Sequence, residues 1–412
     1  MNHTRELSID HISFSSSGGP GRLATSLAKS QNGLCVSSRL LTITHKRIPL
    51  IGIRNFPLIF RAVVDFYFVK RGRSKTLFSL FRNRNSKPLL RHLYMKNPLV
   101  VHLHWIPGVL TLREILENFD KEALVVLTLH DMWPFTGGCH HSFSCTKFQQ
   151  TCVQCPQARS FFSNKVVRAQ REKEMFFGNQ KRIQIVAPSR WMKDTATKSS
   201  VFRGMEITYI PNPVDTEVFK PKFNSNSRQK FGILDTAYVI GCCATNLNDP
   251  LKNIAAIIKV CVNLNRHNPS LNIKVLAVGS GRFPNCGVEV IYTGFLESDN
   301  ELASAFNAMD VFVSLSEVET SPLVVNEALS SGVPVITTDR GGSSDSIRHG
   351  ETGFILNHDE ELFDLLQDQF GNLRSRVFSA NCRNFALKQL SLEVINGRYL
   401  SLYRNGLNHD SQ

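Results

Sequence analysis

The sequence predicts an α/β protein of two domains, each a mostly parallel sheet covered by helices. Three observations carry that expectation. The chain has 412 residues, more than the ~250–300 at which a single hydrophobic core usually stops growing. Short apolar runs alternate with amphipathic stretches, the pattern of strand–helix–strand units. A connector, Tyr209–Pro221 (YIPNPVDTEVFKP), divides that series in two. Its three prolines disfavour a continuous helix.

Strands in the first half are expected at Leu99–His104, Ala123–Leu129 and Gln184–Ala187. In the second half they are expected at Tyr238–Cys242, Ile273–Val278, Glu289–Tyr292, Val311–Ser314 and Val333–Thr337. Helices are suggested by Pro20–Ser30, Asn253–Leu264, Glu301–Met309 and Leu323–Ser330. The domains are read as residues 1–210 and 211–388, with an amphipathic helix in 389–412 packing back on the first. No short-period repeat is visible, which excludes a solenoid.

Hydrophobic residues make up 42% and charged residues 20% of the chain, ordinary for a globular protein. No run of ~18 apolar residues is uninterrupted, so no membrane-spanning helix is expected. The best stretch, 57–69, is broken by Arg61 and Asp65. The start, MNHTRELSIDHIS, lacks a signal-peptide pattern, which makes the cytoplasm the expected compartment.

The net charge of +14 is uneven: between Lys46 and Lys96, thirteen Lys or Arg residues face a single acid, Asp65. Phe56, Phe60, Phe66, Tyr67 and Phe68 are interleaved with them. This pattern suits an anionic membrane surface, where each charge contributes roughly 1 kcal/mol. A solvated basic face over an ordinary core is the alternative. No recognition module accompanies the charge, so nucleic acid is not an expected partner.

The strongest chemical signal is Glu317–Val335, EVETSPLVVNEALSSGVPV, directly after the strand VFVS. Ser321, Pro322 and Leu323 read as a helix start, with serine as cap and proline in the first turn. Free N–H groups there suit an anion such as a diphosphate. Glu319 lies just before the helix, within reach of sugar hydroxyls, and Glu327 along it, where a carboxylate can accept two hydrogen bonds from a ribose. On spacing alone both are equally ordinary helix-start and surface acids.

The run from Glu319 to Glu327, then EALSSGVPVI and TTDRGGSSDSIRHGETGFIL, resembles the donor site of glycosyltransferase family 4. That resemblance implies the GT-B fold, two Rossmann-like domains facing each other across a cleft, and a retaining reaction without a catalytic divalent metal. It implies Glu319 as catalytic and Glu327, Ser321, Pro322 and Leu323 as donor-binding. It extends to Ser16–Ala28, where Gly18 and Gly19 resemble the family's glycine-rich loop and are implied as donor-binding, since glycine lets the backbone approach a phosphate closely. On their own these two glycines are explained as well by a turn. Val186–Trp191 and Ile210–Asp215 resemble the interdomain region, with Pro213 where a glycine is usual.

Lys252 resembles the family's donor-phosphate lysine, whose ammonium offsets charge on the departing diphosphate. The arginine usual about five residues earlier is Leu247 here, beside Asn246, so a further cation is expected to substitute. The segment 127–157 resembles enzymes of bacterial exopolysaccharide, colanic acid and O-antigen pathways. There the matching histidine, His130, sits at the reaction centre, at a strand's carboxyl end. Asp131 beside it orients or caps the loop. His102 and His104 alternate on one strand face, bordering the acceptor cleft or buried.

Cys139, Cys145, Cys152 and Cys155 end in a CxxC. Four thiolates can close a structural zinc site; buried free thiols, or a redox or disulfide role, are the alternatives.

The function expected is transfer of a sugar from a nucleotide diphosphate sugar to a saccharide acceptor. A polyprenyl-diphosphate-linked acceptor would place the protein on the inner face of the cytoplasmic membrane. The rivals are an epimerase or phosphorylase of the same fold, and an inactive nucleotide-sugar-binding scaffold or partner subunit.

Overall fold

The computed structural model describes residues 7–34, 36–42, 78–79, 98–107, 114, 117, 122–178, 180, 182–222, 226–284 and 287–409. Apart from Phe78 and Ser79, the basic stretch between Lys46 and Lys96 lies outside them. The chain divides into two compact units, Met1–Pro211 with Asn396–Gln412, and Asn212–Ile395. Among the described residues no helix is long and apolar enough to cross a membrane.

The first unit holds a six-stranded sheet in the order β2-β1-β3-β4-β5-β6, every pairing parallel. The strands are β1 (Ser8–Ser13), β2 (Ser37–Thr42), β3 (Val100–Leu103), β4 (Leu124–Thr128), β5 (Ile183–Ala187) and β6 (Ile207–Tyr209). Each residue of β3 and β4 is buried, because central strands of a parallel sheet are covered on both faces. Helix α1 (Gly18–Asn32) follows β1 and is longer than the expected Pro20–Ser30. Its first residue, Gly18, has φ +73°, a conformation that costs glycine little. A Cβ on Gly21 would come within 2.4 Å of the Ser15 carbonyl, so the helix start is pressed against the loop before it.

Two further helices belong to this unit, α2 (Ser163–Gly178) and α3 (Arg190–Thr197). Ser189 caps α3 by accepting from the Met192 N–H at 3.1 Å. The terminal helix, α10 (Leu392–His409), returns here from Asn396 onward, burying Tyr399 and Tyr403 completely.

The second unit holds another all-parallel six-stranded sheet, in the order β12-β11-β10-β7-β8-β9. Its strands are β7 (Tyr238–Asn246), β8 (Ile273–Ser280), β9 (Glu289–Gly294), β10 (Val311–Ser314), β11 (Val335–Thr338) and β12 (Gly353–Leu356). Its helices are α4 (Ser227–Lys230), α5 (Ile254–His267), α6 (Asp299–Asn307), α7 (Leu323–Ser330), α8 (Glu361–Leu373) and α9 (Arg376–Gln389). Two apolar clusters form its core, one with Ile258 and Leu362, the other with Phe306 and Leu329.

The order of appearance reverses between neighbouring β7 and β10. Ligands of open α/β sheets bind outside the carboxyl ends of strands at such a switch point.

One expectation is corrected at α7. Ser321 does not cap the helix: Pro322 occupies the cap position, extended at φ −73° and ψ 125°, and the helix begins at Leu323. Proline has no N–H and pushes the residue before it out of the helical region. Ser321 therefore stands outside, its carbonyl accepting from Asn212 Nδ2 at 2.9 Å.

Candidate active site

Lys252 ends a single helical turn, Pro250–Lys252, just after β7, and Asp249 Oδ1 caps that turn by accepting from the Leu251 N–H at 3.0 Å. Glu319 lies in the loop after β10, so the two residues follow the two strands that flank the switch point. The Lys252 ammonium donates to Oε1 of Glu319. Burial alone would push this lysine down, but the Glu319 charge and hydrogen bond outweigh it and raise its pKa. The ammonium is thus charged at any physiological pH.

The backbone seats this pair. The Gly342 N–H donates to the Glu319 carbonyl at 2.7 Å. A Cβ on Gly341, at φ +96°, would come within 2.3 Å of that same carbonyl, so only glycine admits the approach. The Glu317 N–H donates to the Leu251 carbonyl at 2.8 Å, tying the glutamate loop to the lysine turn.

Glu327 lies inside α7 and is 3% exposed, which removes the reading of it as a surface acid. Asn326 braces the helix by donating to the Asn212 carbonyl at 2.8 Å and accepting from the Ser346 hydroxyl at 2.9 Å. Leu247, which stands where the family resemblance makes an arginine usual, is 1% exposed and belongs to the core.

A cation the motif reading did not single out is Arg340. It donates to Glu317 Oε1 at 2.9 Å and to Asp359 Oδ1 at 2.5 Å, and Asn253 donates to the same Asp359 carboxylate at 2.8 Å. Its position directly before Gly341 was the available signal.

In the first unit the sheet order reverses between β1 and β3, and four histidines gather there. His130 Nε2 lies 3.2 Å from His104 Nδ1, His104 Nε2 lies 3.0 Å from His11 Nδ1, and His11 Nε2 lies 2.8 Å from Gln31 Oε1. With the Gln31 carbonyl as terminal acceptor, each ring donates from Nε2 to the next and His130 keeps a lone pair on Nδ1. Burial pushes His11 and His130 down to about 4 and His102 and His104 well below the usual histidine value. All four rings are neutral at pH 7.

His102 and His104 are both buried, at 0% and 3% exposure. Both nitrogens of His102 are used, at 2.7 Å from the Tyr403 hydroxyl and 2.8 Å from Thr128 Oγ1. Gly18 and Gly19 open α1, directly after β1.

Asp131 organises the following loop. It accepts from Trp105 Nε1 and His140 Nδ1, both at 2.6 Å, and from the Trp133 N–H at 2.8 Å. Burial would raise its pKa, yet the His140 charge and these hydrogen bonds hold it at about 2.

The four cysteines of the motif line one cavity, together with Ser142, Lys147 and Phe148. None of them is disulfide-bonded. Gly137 makes the packing possible, since a Cβ there would meet Val166 at 2.4 Å and Cys152 at 3.0 Å. Gln170 on α2 holds the loop by accepting from the Cys152 N–H at 2.6 Å.

Comparison with known proteins places this geometry. Residues 237–369 match the family model described as Glycosyl transferases group 1. That part of the second unit is a group 1 glycosyltransferase domain, and the chain is a glycosyltransferase of the GT-B fold. The chain is 25% identical over 387 residues to WcaC of Escherichia coli (strain K12), described as a colanic acid biosynthesis glycosyl transferase, covering 88% of this chain and 89% of that one.

It is also 25% identical over 218 residues to an Escherichia coli UDP-Gal:alpha-D-GlcNAc-diphosphoundecaprenol alpha-1,3-galactosyltransferase, covering 50% of this chain and 54% of the other. Among solved structures it resembles Anabaena Alr3699/HepE in complex with UDP-glucose, with a TM-score of 0.58 at 15% identity, over 97% of this chain and 100% of that one. At that identity the likeness shows the fold alone.

Proposed function

We propose that this glycosyltransferase moves a sugar from a nucleotide diphosphate sugar to a saccharide hydroxyl in surface polysaccharide synthesis, with retention at the anomeric carbon. The observation that carries the reading is the Lys252–Glu319 pair, set beyond β7 and β10 where the strand order reverses. A bound diphosphate takes Lys252 as its counter-charge, and Glu319 is released to the sugar hydroxyls. The N–H groups at the α7 start bind the phosphates, and Glu327 takes the ribose. Arg340, held on the loop after β11 by Glu317 and Asp359, is the candidate for the cation that Leu247 cannot supply.

In the reaction the bond from the anomeric carbon to the phosphate oxygen breaks, and the electron pair leaves with the nucleoside diphosphate. The acceptor hydroxyl forms the new bond on the same face, and its proton passes to the leaving phosphate. Electrostatic stabilisation of that leaving group is the largest contribution such a site can make. The acceptor surface and His130 are assigned to the first unit, and Gly18 and Gly19 to donor binding, where glycine admits a phosphate close to the backbone.

Two relatives support the substrate class: one is described by colanic acid biosynthesis, the other by a diphosphoundecaprenol-linked acceptor. A lipid-linked acceptor also gives the basic stretch between Lys46 and Lys96 a purpose at the cytoplasmic membrane face. Neutralising Lys70, Arg71, Arg73 and Lys75 together is expected to weaken sedimentation with anionic liposomes severalfold. Unchanged sedimentation would leave the charge without this purpose.

A thermal-shift screen against nucleotide diphosphate sugars tests the donor site. A ligand at ~100 times its dissociation constant stabilises the fold by roughly 2.7 kcal/mol, and Glu327→Ala is expected to abolish that shift. Binding retained in Glu327→Ala would count against the ribose assignment. Donor binding without transfer to any of a broad acceptor panel would instead select the inactive scaffold, the reading that Leu247 in place of an arginine favours.

A further inference from the structure

The transfer reading leaves one cluster unused, the four cysteines between β4 and α2. Their segment has little regular structure of its own, three short 3₁₀ turns at Trp133–Phe135, Lys147–Gln149 and Ser160–Phe162. Yet Cys139, Cys145, Cys152 and Cys155 all converge on one cavity from a stretch of seventeen residues. Cys139 and Cys152 are 7% exposed, and the other two are half-buried.

We propose that these four cysteines hold a structural zinc ion that fixes the loop between β4 and α2. The inference stands apart from the transfer reading, because it needs no donor, acceptor or turnover.

Three features of the surroundings point to thiolates closing on a cation. The first is the ligand set: four sulfurs, ending in a CxxC, match the soft tetrahedral coordination of structural zinc at Zn–S ≈ 2.3 Å. The second is a loop braced around the sulfurs: the Thr136 hydroxyl donates to the Cys139 carbonyl at 2.7 Å, the Ala158 N–H to the Cys155 carbonyl at 3.3 Å and the Cys145 N–H to the Ser142 carbonyl at 2.9 Å. Backbone held in this way orients ligand side chains.

The third feature is charge. A zinc ion with four thiolates carries a net charge of −2, and Lys173 on α2 is a basic side chain that reaches this loop. Its ammonium is anchored at the base of the same loop, donating to the Thr136 carbonyl at 2.9 Å and lying 4.1 Å from the Trp133 ring centroid. Uptake of the ion converts four thiols to thiolates and releases four protons to solvent.

The histidine cluster is the competing site, and it fails. Among the described residues only His11, His102 and His104 bring three such atoms within 4.8 Å of one another. Every ring nitrogen of that trio already has a hydrogen-bond partner, so a metal there would break several bonds in a sealed core. No three of the cysteine sulfurs lie that close. A χ1 step moves a sulfur by roughly 3 Å, enough to draw the half-buried Cys145 and Cys155 inward.

The test is metal content, independent of activity. The full chain is purified without metal-affinity resin, dialysed against EDTA and measured by elemental mass spectrometry, with about one zinc per chain expected. Release of that zinc should follow titration of the thiols by a mercurial. Cys152→Ser/Cys155→Ser is expected to lose it.

Should that variant not fold, the wild type grown with cobalt is expected to show the intense visible bands of tetrahedral Co(II)–thiolate. Zinc below one-tenth of an equivalent with all four thiols reactive overturns the proposal. So does a disulfide mapped within the four, or zinc retained undiminished in the double variant.

Discussion

Glu319→Ala is expected to lower turnover by about 10²–10³-fold, the loss usual when one preorganised group at a developing charge is removed. The wild-type carboxylate does two things at once. It accepts the Lys252 ammonium in the free protein, and it is released to the sugar when a diphosphate takes the lysine. Removing it leaves Lys252 with burial as the dominant influence, so the lysine pKa falls from its raised position.

The variant's activity should therefore decline with rising pH earlier than the wild type does. Glu319→Gln keeps a hydrogen-bonding group but removes the charge, and separates the two effects: lost turnover with an unshifted high-pH limb would assign the carboxylate to the sugar alone. Affinity for the free nucleoside diphosphate, read by calorimetry, should change far less than turnover, because Glu327 and the α7 start are intact. Near-normal turnover in Glu319→Ala would sink the donor-site assignment while leaving the fold untouched.

The sequence displayed the second unit more openly than the first. Val311–Ser314 and the helix Leu323–Ser330 sit where the apolar pattern put them, because each is a short run bounded by turn residues. β12 escaped notice: GFIL is four residues long and its start depends on Gly353, where a Cβ would come within 1.9 Å of the Val335 carbonyl. β1 and β2 were hidden for a different reason. SIDHIS and SSRLLT are polar by composition, but Asp10 is buried against Arg39 and His11 is buried against Gln31 and His104. Polar residues satisfied by one another in a core look like loop in a sequence.

The candidate site divides in the same way. Lys252, Glu319 and Glu327 were found through the family resemblance, since spacing alone left them as ordinary charged residues. What seats them was not legible, since Gly341 owes its place to the Glu319 carbonyl and Asn212 reaches Ser321 from over a hundred residues away. The line from Gln31 to His130 joins four separate elements, and no local pattern announces it.

That line makes the protein sensitive to acid. The folded state holds His11 and His130 down at about 4, and His102 and His104 are also lowered, whereas unfolded histidine titrates near 6.5. Above about pH 6.5 neither state carries these protons, and the stability is complete. As pH falls through that value the unfolded chain binds protons that the folded rings refuse, so stability is lost progressively, for His11 and His130 down to about pH 4. His11 and His130 each contribute on the order of 3 kcal/mol across that window.

Asp131 acts at lower pH, because its depressed pKa near 2 makes its contribution disappear only below the ordinary carboxylate range. The two are therefore separable. Urea unfolding between pH 7 and 4, followed by the emission of Trp105, Trp133 and Trp191, all in the first unit, should give a midpoint that falls steeply with pH. His11→Asn removes one of the refusing rings and should flatten the slope. A midpoint independent of pH from 6.5 to 4 would mean that these rings are charged or solvated. The neutral line from Gln31 would then not exist, and neither would the Nε2–H tautomer it gives His130.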